Sequence, residues 1–126
     1  MYSGKSAQIT SDIIGSACKV HSKLGPGMLE SVYEVCLAHE LMKQGYAVQR
    51  QVPISVEYDG IQLEAGFRLD LLVENKIIVE LKTVEQILPV HKAQIITYLK
   101  LMQKSVGLLL NFHVARMTDG IRRYVL

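Results

Sequence analysis

The feature that most constrains the fold of this chain is an apolar segment that ends in Glu-Leu-Lys. Residues 77–82 read Ile-Ile-Val-Glu-Leu-Lys, and Asp70 precedes Glu80 by ten positions within a second apolar segment. Side chains alternate between the faces of a strand, so Glu80 and Lys82 point to the same face. Because charged groups in buried strands are costly without partners, the fold must give these three side chains a shared site or an exposed edge.

The spacing of apolar residues predicts eight elements in the order α-α-β-β-β-α-β-β. Helices are predicted over residues 7–23, 28–44 and 89–104, and strands over residues 46–58, 61–73, 77–82, 105–112 and 121–126. Asp59-Gly60 is a hairpin signal between the first two strands. A three-stranded meander, a crossover helix and a further strand together predict an α/β fold with a mixed central sheet flanked by helices.

Length and composition predict a single domain over residues 1–126. The net charge of +2 permits binding to a polyanion without arguing for it. Cys18 and Cys36 lie in apolar helical patterns and suggest buried thiols in a reducing compartment. The first residues are a short polar stretch that does not resemble a signal peptide. No apolar run approaches the roughly 20 residues that cross a bilayer. We therefore expect a cytoplasmic protein with no membrane segment.

Asp70 and Glu80 are the candidate metal ligands, because two carboxylates within apolar strands suit Mg²⁺ or Mn²⁺. The alternative is a pair of exposed carboxylates on an edge strand. The two side chains share a face only if the turn between their strands has the right length. A two-residue turn pairs Asp70 with Val79, whereas a three-residue loop over residues 74–76 pairs Asp70 with Glu80. We predict the three-residue loop, or a bulge near Asp70.

Lys82 is the candidate group for acting on the attacking water, or for stabilising the charge that develops on a phosphate. It stands two positions after Glu80 and is otherwise a solvated lysine at a strand end. Glu30 lies on one helical line with Tyr33, so it is predicted to point inward. The favourable interaction of an acidic side chain with a helix N-terminus explains Glu30 equally well.

Gln94 and Tyr98 are four residues apart on the third predicted helix, so they share a face. They offer an amide and a hydroxyl to a phosphate or to the site carboxylates. The alternative is a core tyrosine beside a glutamine at the boundary of the core.

Asp70 followed by Glu80-Leu-Lys82 resembles the metal site of the PD-(D/E)XK nuclease superfamily. Leu69 stands where that motif often has proline, a departure that is common in the superfamily. The resemblance implies a restriction-endonuclease-like core of the order α-β-β-β-α-β. It also implies that Asp70 and Glu80 hold the metal and that Lys82 is catalytic.

Two further motifs extend the resemblance over most of the chain. Gln94-Ile-Ile-Thr-Tyr98 is similar to the QxxxY motif of the RecB-like branch, and residues 27–33 are similar to the signature of the GxxExxY family. By this resemblance Glu30 supplies a further catalytic carboxylate. Gln94 and Tyr98 support the active site or bind the substrate.

The expected function is that of a Mg²⁺-dependent (or Mn²⁺-dependent) deoxyribonuclease, which hydrolyses phosphodiester bonds in DNA repair, recombination or defence. One alternative is a catalytically inactive nuclease-fold protein that binds nucleic acid or a protein partner. Another is a dimeric, structure-specific resolvase of the Holliday-junction type. The small domain favours a homo-oligomer or a larger assembly. Candidate DNA contacts are His91, Lys92, Lys100, Lys104, Arg116, Arg122 and Arg123.

Overall fold

A computed structural model describes residues 4–126, which form a mixed five-stranded sheet with helices on both faces. The helices are α1 (Gly4–Leu24), α2 (Glu30–Lys43) and α3 (Pro89–Met102), with a short 3₁₀ helix at Met117–Gly120. The strands are β1 (Val48–Tyr58), β2 (Ile61–Val73), β3 (Ile77–Lys82), β4 (Val106–Asn111) and β5 (Ile121–Val125). The order α2-β1-β2-β3-α3-β4 reproduces the core that the sequence predicts.

The strands lie in the spatial order β1-β2-β3-β4-β5. The pair β3–β4 is parallel and the other pairs are antiparallel. The parallel pair follows from the crossover through α3, which returns the chain to the edge where β3 began. Within residues 4–126, no helix is long and apolar enough to span a membrane.

The sheet is covered on both faces, which explains why β3 is apolar almost throughout. Ile77, Val79 and Leu81 pack with α1 and α2 on one face. Ile78 packs with α3 on the other. These four side chains are fully buried, and each contributes about 1.5–3 kcal/mol relative to exposure. Glu80 and Lys82 share the parity of Ile78 and occupy the end of the strand.

Several predicted helix ends need correction, and the first helix begins at Gly4 rather than residue 7. The second helix begins at Glu30 rather than residue 28, because Leu29 is still extended as its N-cap. The third helix ends at Met102 rather than residue 104, because Gln103 adopts a left-handed conformation with φ of 55°. Lys104 therefore leaves the helical face that its spacing predicts. The cysteines are free and only partly buried, and both pack against the core.

The loop between β2 and β3 has the predicted length of three residues. Leu71 pairs with Val79 and Val73 pairs with Ile77, and this register continued by one residue sets Asp70 opposite Glu80. The prediction that the two carboxylates lie opposite each other is therefore confirmed. No bulge is needed, because the odd loop length already aligns the two residues.

Gly120 offers a test of the packing at the end of β4. A Cβ atom on Gly120 would lie 2.0 Å from the carbonyl oxygen of Asn111, so the backbone must move. We expect Gly120→Ala to lower the free energy of unfolding by about 1–3 kcal/mol. Gly15, inside α1, has no atom within 4 Å of such a Cβ, and Gly15→Ala should raise stability by about 0.5–1 kcal/mol. Urea unfolding of both variants with equal midpoints would contradict this packing.

Candidate active site

Asp70 and Glu80 lie where β2 and β3 separate. The last regular pair of the ladder is Leu71 with Val79. Beyond it, the Asp70 backbone N–H donates to Glu80 Oε2 at 2.8 Å. The Leu81 backbone N–H donates to Asp70 Oδ2, also at 2.8 Å. Each carboxylate thus accepts a hydrogen bond of the kind that a backbone carbonyl accepts in a regular ladder. These hydrogen bonds hold both side chains at the fork between the strands.

Burial, followed by the neighbouring charge of Asp70, raises the pKa of Glu80 to about 8, while Lys82 opposes the shift. The Glu80 side chain is 6% exposed. The pKa of Asp70 is also raised, first by burial and then by the charge of Glu34. A buried carboxylate beside a half-buried one favours a bound proton or a bound cation near neutral pH.

A divalent cation fits this pair by donor chemistry. Asp70 and Glu80 offer hard carboxylate oxygens, and each keeps an oxygen that accepts no hydrogen bond from the strand backbone. Residues 4–126 contain no group of three or more His, Cys, Asp or Glu side chains arranged to hold a metal. Two carboxylates completed by waters and substrate phosphate are the usual Mg²⁺ arrangement.

Lys82 follows on β3 and is half-buried. The chain after it is fixed by Asn111, whose amide accepts from Val84 N–H at 3.1 Å and donates to Val84 O at 2.8 Å. The carbonyl of Lys82 also accepts from Phe112 N–H at 2.9 Å. Asn111 was not predicted from sequence, although a polar residue that ends the apolar segment of β4 is a signal for such a role. Lys82 is thus held at a defined strand end.

Glu30 is the first residue of α2 and its side chain is exposed. The prediction that it points inward is therefore wrong, because Glu30 stays exposed at the start of the helix although Tyr33, in the same turn, is fully buried. Burial nevertheless raises the pKa of Glu30, the charge of Asp70 adds to this, and Lys82 opposes it. Glu30 therefore lies at the mouth of the site, within electrostatic reach of Asp70 and Lys82.

Tyr33 explains the spacing of the motif that contains Glu30. Its ring stacks on Phe112, with ring centroids 4.4 Å apart. Its hydroxyl accepts from Met28 N–H at 3.1 Å and donates to a carbonyl of the same loop. Gly27 has a φ of 101°, which only glycine adopts readily. The glycine and the tyrosine shape the loop that delivers Glu30 to the site.

Tyr98 and Gln94 approach from α3, one helical turn apart. Tyr98 is buried, and its ring lies 6.0 Å from that of Phe67. Burial raises the pKa of Tyr98, and the charges of Glu80 and Asp70 add to the shift. Tyr98 therefore adjoins the carboxylates. Gln94 is half-buried on the same helix face.

Glu34, Arg50 and Gln51 form a hydrogen-bonded layer behind Asp70 that the sequence did not predict. Glu34, 5% exposed, accepts from Arg50 Nε at 3.1 Å and from Arg50 Nη2 at 2.9 Å. It also accepts from Gln51 Nε2 at 2.7 Å, and this amide nitrogen lies 3.4 Å from Asp70 Oδ1. One signal was present: Glu34 follows Glu30 by four residues and so shares its helix face.

A family model of the PD-(D/E)XK nuclease superfamily matches residues 7–124. No curated protein and no solved structure matches the chain. The matched range includes every residue of the site and of the layer behind it. The mixed sheet flanked by helices agrees with the restriction-endonuclease-like fold of this superfamily. The finer assignments to the RecB-like branch and to the GxxExxY family stay predictions.

The raised pKa of Glu80 makes the metal-free fold depend on pH. A carboxyl whose pKa is raised by folding favours the folded state while protonated, so this stability is lost as pH rises from about 4.5 towards about 8. Glu80→Gln keeps an acceptor for the Asp70 N–H and carries no charge. We expect the free energy of unfolding of the variant at pH 8 to be about 1–3 kcal/mol higher than that of wild type, since one pKa unit is worth about 1.4 kcal/mol.

Urea unfolding in EDTA at pH 5 and pH 8 measures this difference. Glu57→Gln, an exposed carboxylate on β1, is the control and should show the same pH dependence as wild type. Parallel pH profiles for Glu80→Gln and wild type would contradict the raised pKa of a buried Glu80 carboxyl beside Asp70.

Proposed function

The chain belongs to the PD-(D/E)XK nuclease superfamily, and from this premise we propose that it is a Mg²⁺-dependent (or Mn²⁺-dependent) deoxyribonuclease. The observation that carries the proposal is the fork between β2 and β3. There the buried Glu80 and the half-buried Asp70 lie together beside Lys82. Superfamily membership supports nuclease chemistry, and these residues supply the groups that such chemistry needs.

In this proposal Asp70 and Glu80 hold the cation. When bound, a divalent cation supplies a Lewis acid for the phosphate oxygens and promotes ionisation of a water molecule. The Lys82 ammonium donates hydrogen bonds to the attacking water and offsets the charge that develops on the phosphate. Glu30 adds a further carboxylate at the mouth of the site, where it orients water.

Gln94 and Tyr98 are proposed to bind the substrate. The Gln94 amide and the Tyr98 hydroxyl are hydrogen-bond donors that suit phosphate oxygens. Their spacing of one helical turn presents both groups on the face of α3 that borders the carboxylates. They position the scissile phosphodiester without taking part in bond breakage.

The charge balance of this region supports a requirement for a cation. The site and the layer behind it contain four carboxylates and two cationic side chains, namely Glu30, Glu34, Asp70, Glu80, Arg50 and Lys82. With all of them ionised, this cluster carries an excess of two negative charges. A phosphodiester is itself an anion and is repelled until a cation binds.

The nuclease assay separates this proposal from a binding role without cleavage. Pure protein is incubated with single-stranded, double-stranded and branched DNA in Mg²⁺, Mn²⁺ or EDTA. We expect wild type to cut in the presence of metal only, and Lys82→Ala to lose about 100-fold or more of the rate, the loss typical of one transition-state donor.

Lys76→Ala is the matched control, because Lys76 is an exposed lysine in the loop at the opposite end of β3. It makes the same change of charge and should leave cleavage unchanged. Wild type that binds DNA without cutting it in either metal would overturn the proposal and favour the inactive nuclease-fold alternative.

The candidate DNA contacts do not form one surface. Arg122 pairs with Leu109 and Arg123 pairs with Leu108, and these two leucines belong to cores on opposite faces of the sheet. Arg122 therefore lies on the α3 face and Arg123 on the opposite face. Lys92 is also on the α3 side, where its Nζ lies 5.9 Å from the centre of the Tyr124 ring.

We propose that DNA lies across the α3 face, which carries Lys92 and Lys100 as exposed cations. Phosphate contacts release counterions, so the affinity should fall with added salt. Lys92→Glu/Lys100→Glu should weaken binding in EDTA and lower the slope of log K against log salt by about 1–2. Lys23→Glu, on α1, is the control. An unchanged affinity and salt slope in the double variant would remove this face from the proposal.

A further inference from the structure

Gln51 has a backbone conformation that its position in the middle of a strand does not explain. Its φ is 53°, although it lies within β1. Elsewhere in residues 4–126, the non-glycine residues with positive φ lie in turns or directly after a helix, namely Asp59, Glu74, Asn75 and Gln103. The left-handed region is unfavourable for L residues, and such conformations persist where surrounding contacts impose them.

The contacts of the Gln51 side chain supply a reason. Its Nε2 donates to Glu34 Oε1 at 2.7 Å and lies 3.4 Å from Asp70 Oδ1. An amide nitrogen carries two hydrogens, so one group serves both carboxylates. Glu34 also fixes which way the amide faces, because a flipped amide would turn its oxygen towards the Glu34 carboxylate.

The backbone register brings Gln51 to Asp70. The pairs on either side, Arg50 with Leu71 and Val52 with Leu69, set Gln51 directly opposite Asp70 across the β1–β2 ladder. In a regular strand, a residue at this position bonds its neighbour through backbone groups and directs its side chain away from the sheet. The left-handed turn at Gln51 instead accompanies a side chain that reaches both Glu34 and Asp70.

Both oxygens of Asp70 then face a donor. Leu81 N–H bonds Oδ2 at 2.8 Å, and the Gln51 amide lies 3.4 Å from Oδ1. Each carboxylate oxygen has a further lone pair, so this arrangement restricts rotation of the carboxylate without blocking a metal. Groups behind a metal ligand that orient it in this way commonly alter metal affinity 10–100-fold.

We propose that Gln51 is a positioning residue for a divalent-cation site, in which Glu34 orients the Gln51 amide and the amide holds the Asp70 carboxylate for the metal. The inference rests on the proposed function, since it assigns a role to Gln51 and Glu34 behind the same metal ligands. The left-handed backbone of Gln51 is the conformational strain that accompanies this role.

Two substitutions separate the amide from the backbone. Gln51→Met keeps the length of the side chain and the strained backbone but removes the amide. Gln51→Gly removes the amide and also relieves the strain. Gln103→Gly is the matched control, because Gln103 is also a glutamine with φ of 55°, at the C-terminal cap of α3. Asp70→Asn serves as the reference for a damaged metal ligand.

Mn²⁺ affinity by calorimetry and the midpoint of thermal unfolding in EDTA are measured for each variant. We expect both Gln51 variants to bind Mn²⁺ about 10-fold more weakly than wild type. Gln51→Gly should unfold within about 4 °C of wild type, because relief of strain offsets the lost hydrogen bond to Glu34. Gln103→Gly should keep the wild-type affinity and unfold at the same or a higher temperature.

Mn²⁺ affinity within twofold of wild type in Gln51→Met and Gln51→Gly would overturn the inference. The inference would also be overturned if Mn²⁺ affinity fell only in variants whose midpoint of thermal unfolding was more than about 10 °C lower than that of wild type. That result would indicate a structural role for Gln51. If Mn²⁺ affinity depends on Gln51 and wild type cuts no DNA, the inference stays in place and the nuclease function is removed. Wild type that binds no Mn²⁺ would overturn both.

Discussion

Two carboxylates, one buried and one half-buried, meet at the fork between β2 and β3, and the surrounding structure must accommodate their charge. Asp70 and Glu80 accept backbone hydrogen bonds from each other's strands, which holds the two carboxylates together at the fork with Glu80 almost fully buried. In that environment both pKa values rise, and the charges must be offset by a proton, by Lys82 or by a cation. The chemistry of the site follows from this unsatisfied charge.

The groups around the fork are supported by side-chain hydrogen bonds from residues outside it rather than by their own strands alone. Tyr33 holds the loop that delivers Glu30, Asn111 holds the chain after Lys82, and Glu34 holds the Gln51 amide. Each of these contacts is a hydrogen bond to a buried or partly buried group, where a missing partner is costly. The positions of the groups at the fork therefore depend on residues that lie outside it.

Most of the fold was predictable because its signals are local. The largely apolar β3 and the Asp59-Gly60 turn mark their elements directly, and the loop over residues 74–76 sets the register of Asp70 by its length alone. Helix ends were less predictable, as Gln103 shows, because any residue can close a helix when nearby packing favours it. The inward orientation predicted for Glu30 failed since its helix begins at that residue.

The sequence alone determined the elements, the register across the β2–β3 loop and the pairing of Asp70 with Glu80, since each depends on residues close together in the chain. Only the tertiary structure decided what stands behind Asp70. Gln51 meets Glu34 and Asp70 across separations of 17 and 19 residues, and these contacts exist only once α2 has docked beside β1 and β2. The spacing of apolar residues shows which face of a helix or strand is buried. A hydrogen bond between two elements depends instead on how those elements pack against each other.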